Sequence, residues 1–427
     1  MLIHIVQPGD TPYLIANEYG VPLQTLLRDN AIEGRMIIPV GMALVIPANE
    51  TEYTVRRGQS LYSIARMFNT TVDEILRYNP NITDPESIEA GQTLVIPSGS
   101  AKLGSINVNG YAYTNISPDT LAKTLPNLTF ISPFSYNFDA EGNLKPIPDR
   151  FITENARNAG TAPLMVLTNL SEESGFSPEI AASVLTPGEA QDNFIKNIKA
   201  TLAEKNYYGV DLDIEYIPAD KRDAYTAFIT RLTSELHPLG YIVTIALAPK
   251  LDAAQPGILY EGHDYGAQGA AADLVTVMTY EWGYTYGPPQ AVAPINEVER
   301  VISYAVTEIP SDKILMGIPN YGYDWTIPYR EGTAARTTSN TGAIALAATV
   351  GASIEFDPVA KAPYFYYTDD MGNRHVVWFE DARSIRAKLE LVDKYNLSGV
   401  TYWTVNSYFP QNWVVLNSMF DVKKVNL

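Results

Sequence analysis

The sequence predicts an α/β protein: a (β/α)8 barrel with a small α/β insertion after the seventh strand, preceded by two small βααβ units. Three observations predict it. One pattern is written twice within the first 97 residues. Eight apolar, strand-like runs then alternate with helical stretches. One of these runs, "YYGVDLDIEY" at 207–216, alternates Asp211, Asp213 and Glu215 with Val210, Leu212 and Ile214.

The duplication comes first in the chain. "HIVQPGDTPYLIANEYGVPLQTLLRDN" from His4 returns as "YTVRRGQSLYSIARMFNTTVDEILRYN" from Tyr53, and "GMALVIP" returns as "GQTLVIP". Each unit reads strand, helix, helix, strand. Ser60 or Gln59 can cap a helix that places Leu61, Ile64, Ala65 and Phe68 on one face. Thr71 or Asp73 opens the next helix, and a proline closes the final strand. "SGSAKLGS" at 98–105 is a polar linker.

The eight later runs are "SINVNGYAY", "LTFISPFSYNF", "PLMVLTNL", "YGVDLDIEY", "YIVTIALAPK", "DLVTVMTYEW", "ILMGIPNYGYDW" and "GVTYWTVN". Amphipathic stretches such as "AQDNFIKNIKATLAEKN" fit between them. Alternation of this kind predicts the barrel. The interval from Tyr323 to Asp381 is too long for a loop and holds "PYFYYTD" and "RHVVWF", which predicts the inserted subdomain. The expected layout is 1–48 and 50–98 for the two units, 99–103 for the linker and 104–427 for the barrel, with 324–381 inserted.

Side chains alternate along a strand, so Asp211, Asp213 and Glu215 share the inward face. Buried carboxylates are costly unless they share protons or hydrogen bonds. Glu215 falls at the strand's C-terminal end, where barrel enzymes place their chemistry. A hydrogen-bonded structural cluster and a Mg²⁺ site are rival readings of the same row.

Composition narrows the class. A net charge of −18 argues against a nucleic-acid partner and against an anionic membrane surface. Cysteine is absent, which excludes disulfides and thiolate sites, and only four histidines are present. No apolar run is long enough to predict a membrane span. The N-terminus lacks the basic start and apolar core of a signal peptide. The 28 tyrosines suit either packing or amphipathic ligands.

With the spacing Val-x-x-Gly-[Asp/Gln]-[Thr/Ser]-x-x-x-Ile-Ala, a later Asn and Gly-x-x-Leu-x-Ile-Pro, the repeats resemble LysM domains. That resemblance implies binding of glycans that contain N-acetylglucosamine, through Gly9, Asp10 and Thr11 and through Gly58, Gln59 and Ser60. The front end carries 6 Arg, no Lys and 11 acids. Its grip on a glycan must then come from hydrogen bonds and stacking. Removing residues 1–97 is expected to spare hydrolysis of small fragments and to weaken adsorption to walls.

The barrel resembles glycoside hydrolase family 18, the chitinase-like family. The family's fourth-strand signature, Asp-Gly-x-Asp-x-Asp-x-Glu, appears from Tyr208 to Glu215 with Tyr208 in place of the first acid. "VMTYEW" resembles the sixth-strand Met-x-Tyr-Asp, with Met278 and Tyr280 matching and Glu281 standing for Asp. The resemblance implies that Glu215 is the general acid, that Asp213 steadies the substrate's acetamido group, that Asp211 shares a proton with Asp213, and that Tyr280 aims the acetamido oxygen. It implies substrate contacts from Trp403, Met278, Glu281, Tyr111 and Asn320, and no cofactor or metal. Two LysM units before such a barrel look like bacterial spore-cortex-lytic N-acetylglucosaminidases, which are made in the cytoplasm, held in the spore's coat and cortex layers, and act at germination. A monomer acting on peptidoglycan by substrate-assisted retaining catalysis is expected. A weak or inactive wall-binding coat protein, or a chitinase, is the alternative.

Overall fold

The computed structural model describes residues 1–34, 37–46, 50–68, 70–82, 84–86, 88–97, 102–171 and 175–427. The expected end of the first unit at 47–48 and most of the linker lie outside the described residues.

Each repeat folds as strand, helix, helix, strand. The first comprises Leu2–Ile5, Pro12–Tyr19, Leu23–Asp29 and Ala43–Ile46; the second comprises Glu50–Thr54, Leu61–Met67, Val72–Tyr78 and Thr93–Pro97. In both, the two strands pair antiparallel. The matched hydroxyl residues Thr11 and Ser60 are helix N-caps, accepting from Leu14 N and Ser63 N, each at 3.2 Å. Thr71 caps the second repeat's other helix, accepting from Glu74 N at 3.1 Å. The matched asparagines do equivalent work. Asn30 Nδ2 donates to Leu26 O and Val45 O, and Asn79 Nδ2 donates to Ile75 O and Val95 O. Each ties the second helix to the closing strand.

Eight parallel strands close the barrel: Gly104–Tyr113, Phe130–Phe134, Ala162–Thr168, Gly209–Asp213, Ile242–Leu247, Leu274–Val277, Ile314–Pro319 and Gly399–Trp403. Closure is completed where the fourth strand pairs with the third, from Gly209 opposite Leu164 to Asp213 opposite Thr168. Phe130, Ala162 and Leu164 plug the lower interior, and Tyr208 packs on that plug. The tyrosine at the signature's first position therefore serves packing far from the strand's C-terminal end. Above the plug the interior is polar: Ser132 donates to Asn109 at 3.0 Å, and Thr276 and Thr401 bond at 3.0 Å.

The seventh sequence run divides at Asn320. Its tail, Gly322–Ile327, begins an antiparallel sheet whose strand order is Arg336–Thr338, Gly322–Ile327, Arg374–Trp378, Ala362–Thr368 and Glu355–Asp357, with the helix Asn340–Val350 alongside.

The first repeat is packed into this assembly. Val6, Ile15, Leu26, Leu44 and Ile46 share one apolar cluster with Ala343, Ile344, Ala347, Ile354, Phe365, Val377 and Phe379 of the insertion. Ala43 and Val45 point the other way, into the barrel's core cluster. Ile354 N donates to Val40 O at 2.8 Å, and Gln411 Nε2 reaches Asn30 Oδ1 at 2.9 Å and Ala43 O at 2.7 Å. Gly41 lies at φ 80°, and a Cβ there would fall 1.9 Å from Ile354 O. The second repeat keeps its own core of Val55, Leu61, Ile64, Ala65, Ile75, Leu94 and Ile96. It faces the rest across a cavity of about 1030 Å³ bordered by Arg28, Arg77, Tyr408 and Trp413. One repeat shares the insertion's core, while the other's core is self-contained among the described residues.

Candidate active site

The acid row stands on the fourth strand and just beyond it. Pairing sets Asp211 opposite Thr244 on the fifth strand, and Thr244 Oγ1 donates to Asp211 Oδ1 at 2.5 Å. From the first strand, Tyr111 OH donates to Asp211 Oδ2 at 2.5 Å. Burial raises the Asp211 pKa, and these two donors oppose the shift. Asp211 therefore has a hydrogen-bond donor on each oxygen, although it lies deepest in the row.

Asp213 has the opposite environment. It is buried, and its Oδ1 has no hydrogen-bond partner among the described residues. Burial raises its pKa well above the ordinary range, and the charges of Glu215 and Asp211 add to the shift. A free acceptor oxygen in such a place is costly unless the carboxyl is protonated or a ligand supplies a donor. Sharing of a proton between Asp211 and Asp213 remains an expectation; both oxygens of Asp211 are occupied by other donors.

Glu215 is half-buried at the strand's end, and burial pushes its pKa up to about 7. On the far side of the strand His263 is fully enclosed, and burial lowers its pKa to about 4, so the ring is neutral. Its Nδ1 accepts from Ala248 N at 3.0 Å, which leaves the proton on Nε2, facing Ile214 O at 3.4 Å.

Tyr280 follows the sixth strand. Burial and then the Asp213 and Glu215 charges hold its phenol protonated. The seventh strand makes room for the ring, since a Cβ on Gly317 would fall 2.7 Å from Tyr280 Cε1. Trp403, half-buried, ends the eighth strand with Phe134, Tyr111 and Tyr113 edge-on at ring separations of 4.7, 5.3 and 5.8 Å. This aromatic collar fixes the indole's attitude. Met278 is half-buried two residues before Tyr280.

Three expected substrate contacts have hydrogen-bond partners within the protein. Tyr111 is buried with its hydroxyl spent on Asp211. Asn320 is buried; its Nδ2 donates to Thr404 O and Ser407 O, each at 2.8 Å, and so supports the turn after Trp403. Glu281, at φ 68°, accepts from Tyr321 OH and, at 3.1 Å, from Tyr323 OH, which ties the sixth-strand loop to the insertion. In the repeats, Asp10 Oδ2 accepts from Gln7 N at 2.7 Å and from His4 Nε2 at 2.9 Å. The Gln7 N–H is the main reason the Asp10 pKa falls. Gln59 Oε1 likewise accepts from Arg56 N at 2.8 Å and Tyr53 OH at 2.9 Å. Gly9 and Gly58 adopt φ 94° and 84°. These positions, with the caps Thr11 and Ser60, build matching turns.

Sequence reasoning missed Thr244, Asn169 and Tyr225. Tyr225, from the helix Arg222–Leu236, packs its ring 6.3 Å from that of His263, and its buried hydroxyl has no hydrogen-bond partner among the described residues. A polar residue at the end of each apolar strand run was the available signal for Asn169.

Comparison with known proteins gives the same architecture. The LysM profile matches residues 4–47 and 53–97. The cortical fragment-lytic enzyme of Bacillus subtilis (strain 168) is 39% identical over 426 residues, covering 87% of this chain and 98% of that protein. The crystal structure of the Bacillus cereus spore cortex-lytic enzyme SleL superposes with a TM-score of 0.84 at 34% identity, covering 99% of this chain and 98% of that one. That of the Bacillus megaterium QM B1551 spore cortex-lytic enzyme SleL gives 0.83 at 35% identity, covering 99% of each. The profile of Glycosyl hydrolases family 18 matches residues 118–407, and this chain, with its two LysM domains in front, belongs to that family.

Proposed function

We propose that the chain is a spore-cortex N-acetylglucosaminidase that works by substrate assistance, as a monomer within the outer layers of a bacterial spore. The layout of two glycan-binding units, a short linker and a catalytic barrel with an insertion belongs to this reading. So does the role of Gly9, Asp10, Thr11, Gly58, Gln59 and Ser60 in holding peptidoglycan. The names of its relatives, which act on spore cortex or its fragments, support the substrate class.

The observation that carries the reading is the buried Oδ1 of Asp213, without a partner among the described residues, beside a carboxyl whose pKa burial raises to about 7. Most retaining glycosidases use one carboxylate as acid and a second as nucleophile, and family 18 is an exception to that scheme. Here Glu215 gives its proton to the glycosidic oxygen as the bond to the anomeric carbon breaks. The sugar's own acetamido oxygen forms the new bond to that carbon, giving an oxazolinium. Asp213 accepts from the acetamido N–H and balances its growing positive charge. Tyr280 donates to the acetamido oxygen and aims it, and Trp403 forms the floor beneath the ring. Glu215, now ionised, takes a proton from water, which opens the oxazolinium with net retention.

The nucleophile tests the reading. Aryl chitobiosides in which the cleaved sugar carries acetamido, monofluoroacetamido or trifluoroacetamido groups differ chiefly in the basicity of that oxygen. Turnover is expected to fall steeply along the series. Equal rates across it would exclude assistance by the acetamido group.

A further inference from the structure

Glu215 stands two residues past the last paired position of its strand, where Asp213 faces Thr168. Directly after it, Tyr216 adopts φ 55°, and the chain turns away. Main-chain pairing with the third strand therefore stops short of Glu215, and something else must fix its backbone. Asn169, the residue after Thr168, does so. Its Oδ1 accepts from Glu215 N at 3.0 Å, and its Nδ2 donates to Glu215 O at 2.8 Å. The second Nδ2 proton goes to Ser177 O at 2.9 Å, and Ser177 N returns a bond to Asn169 O at 2.9 Å. Ser177 is in turn the N-cap of the helix Pro178–Leu185. Asn169 is fully buried.

We infer that Asn169 is a positioning residue for Glu215, its carboxamide standing in for the missing peptide rung. The chemistry is specific to Asn. One acceptor must meet an N–H, and two donors must meet two carbonyls. Aspartate has the shape but would set an anion against two carbonyl oxygens. Alanine leaves three buried main-chain groups unpaired. The assignment rests on reading Glu215 as the general acid, and the effect it predicts is one of aim. A displacement on the order of 1 Å can cost about 10²-fold in rate.

The test compares Asn169→Ala, Asn169→Ser and Asn169→Asp with Glu215→Gln. Two substrates are used: chitohexaose, whose leaving group needs a proton, and 4-nitrophenyl N,N′-diacetylchitobioside, whose leaving group needs little help. For the folded Asn169 variants, kcat on chitohexaose should fall about 10²-fold with KM within threefold, and the loss on the aryl glycoside should be smaller. Asn169→Asp should be worse than Asn169→Ala, whereas loss of packing volume alone would reverse that order. Folded variants with kcat within twofold of the parent on chitohexaose, or with equal losses on both substrates, would overturn the inference. If Glu215→Gln also turned over normally, the failure would lie in the reading of Glu215; if only Asn169 proved neutral, it would lie in the clamp. Should no Asn169 variant fold, amide exchange in the unaltered protein decides the matter: slow exchange at Glu215 N supports the clamp, and fast exchange refutes it.

Discussion

Glu215→Gln should fold and lose turnover by about 10² to 10⁴, the usual contribution of a general acid or base. The substitution keeps the shape and removes the transferable proton. The loss should be larger on chitohexaose than on a nitrophenyl glycoside. The pH dependence follows from the same group. Its working form is the acid, so activity in the parent should decline as pH rises through about 7. Stability has a related sign. Burial raises the Glu215 pKa from an ordinary 4.5 to about 7 in the folded chain. The folded state's advantage from this group is therefore complete below about pH 4.5 and lost as pH rises to about 7. Glutamine never ionises, so the variant's Tm should match the parent's at acid pH and exceed it at pH 8. A Tm difference that is constant from pH 4 to pH 8 would contradict the buried-acid account.

Deleting residues 1–97 should unfold or aggregate the remainder, contrary to what the repeat pattern alone suggests. The cut removes the first repeat's half of a shared core and uncovers Ile344, Ile354, Phe365, Val377 and Phe379. Full burial of such a side chain contributes about 2 kcal/mol, so half-exposing five of them costs on the order of 5 kcal/mol. That is comparable with the whole stability of a typical domain. The insertion would then loosen, and with it Tyr321 and Tyr323, which hold Glu281 beside Tyr280. Excising only 50–101, so that the first repeat joins the barrel directly, should leave Tm within a few degrees and weaken adsorption to cortex. Chitohexaose turnover by the shorter excision variant should equal the parent's. A stable, fully active barrel after deletion of 1–97 would show that the shared core carries little.

Patterns of period and spacing were legible in the sequence. The repeat, with its matched asparagines, is legible as spacing, and its caps follow from local hydrogen bonding. The eight strand runs follow from apolar patterning, and the inward row from strand alternation. Contacts across long sequence separations were not legible. Nothing in "PLMVLTNL" says that Asn169 reaches Glu215, because that depends on strand register in a closed barrel. Tyr111 and Asn320 carry family-like polar groups at strand ends, yet their partners are Asp211 and the 404–407 main chain, which only the fold brings near. The docking of the first repeat was hidden for a related reason. Its buried set, Val6, Ile15 and Leu26, matches Val55, Ile64 and Ile75 closely, and Gly41 matches Gly91; the difference lies at Met42 and Ala43, where the second repeat has Gln92 and Thr93, and in the surfaces of the insertion.

The bond broken in cortex peptidoglycan tests the central claim most directly. Substrate assistance needs a free acetamido group on the sugar whose anomeric bond is cleaved. N-acetylglucosamine offers one. A muramic δ-lactam has its nitrogen locked in a ring with no acetyl oxygen, and intact N-acetylmuramic acid would bring a bulky lactyl group against the floor proposed for Trp403. Digested cortex is reduced with borohydride, and its new ends are identified by mass spectrometry. Reduced N-acetylglucosamine at the new ends is the predicted result; a predominance of reduced muramic ends would contradict the account.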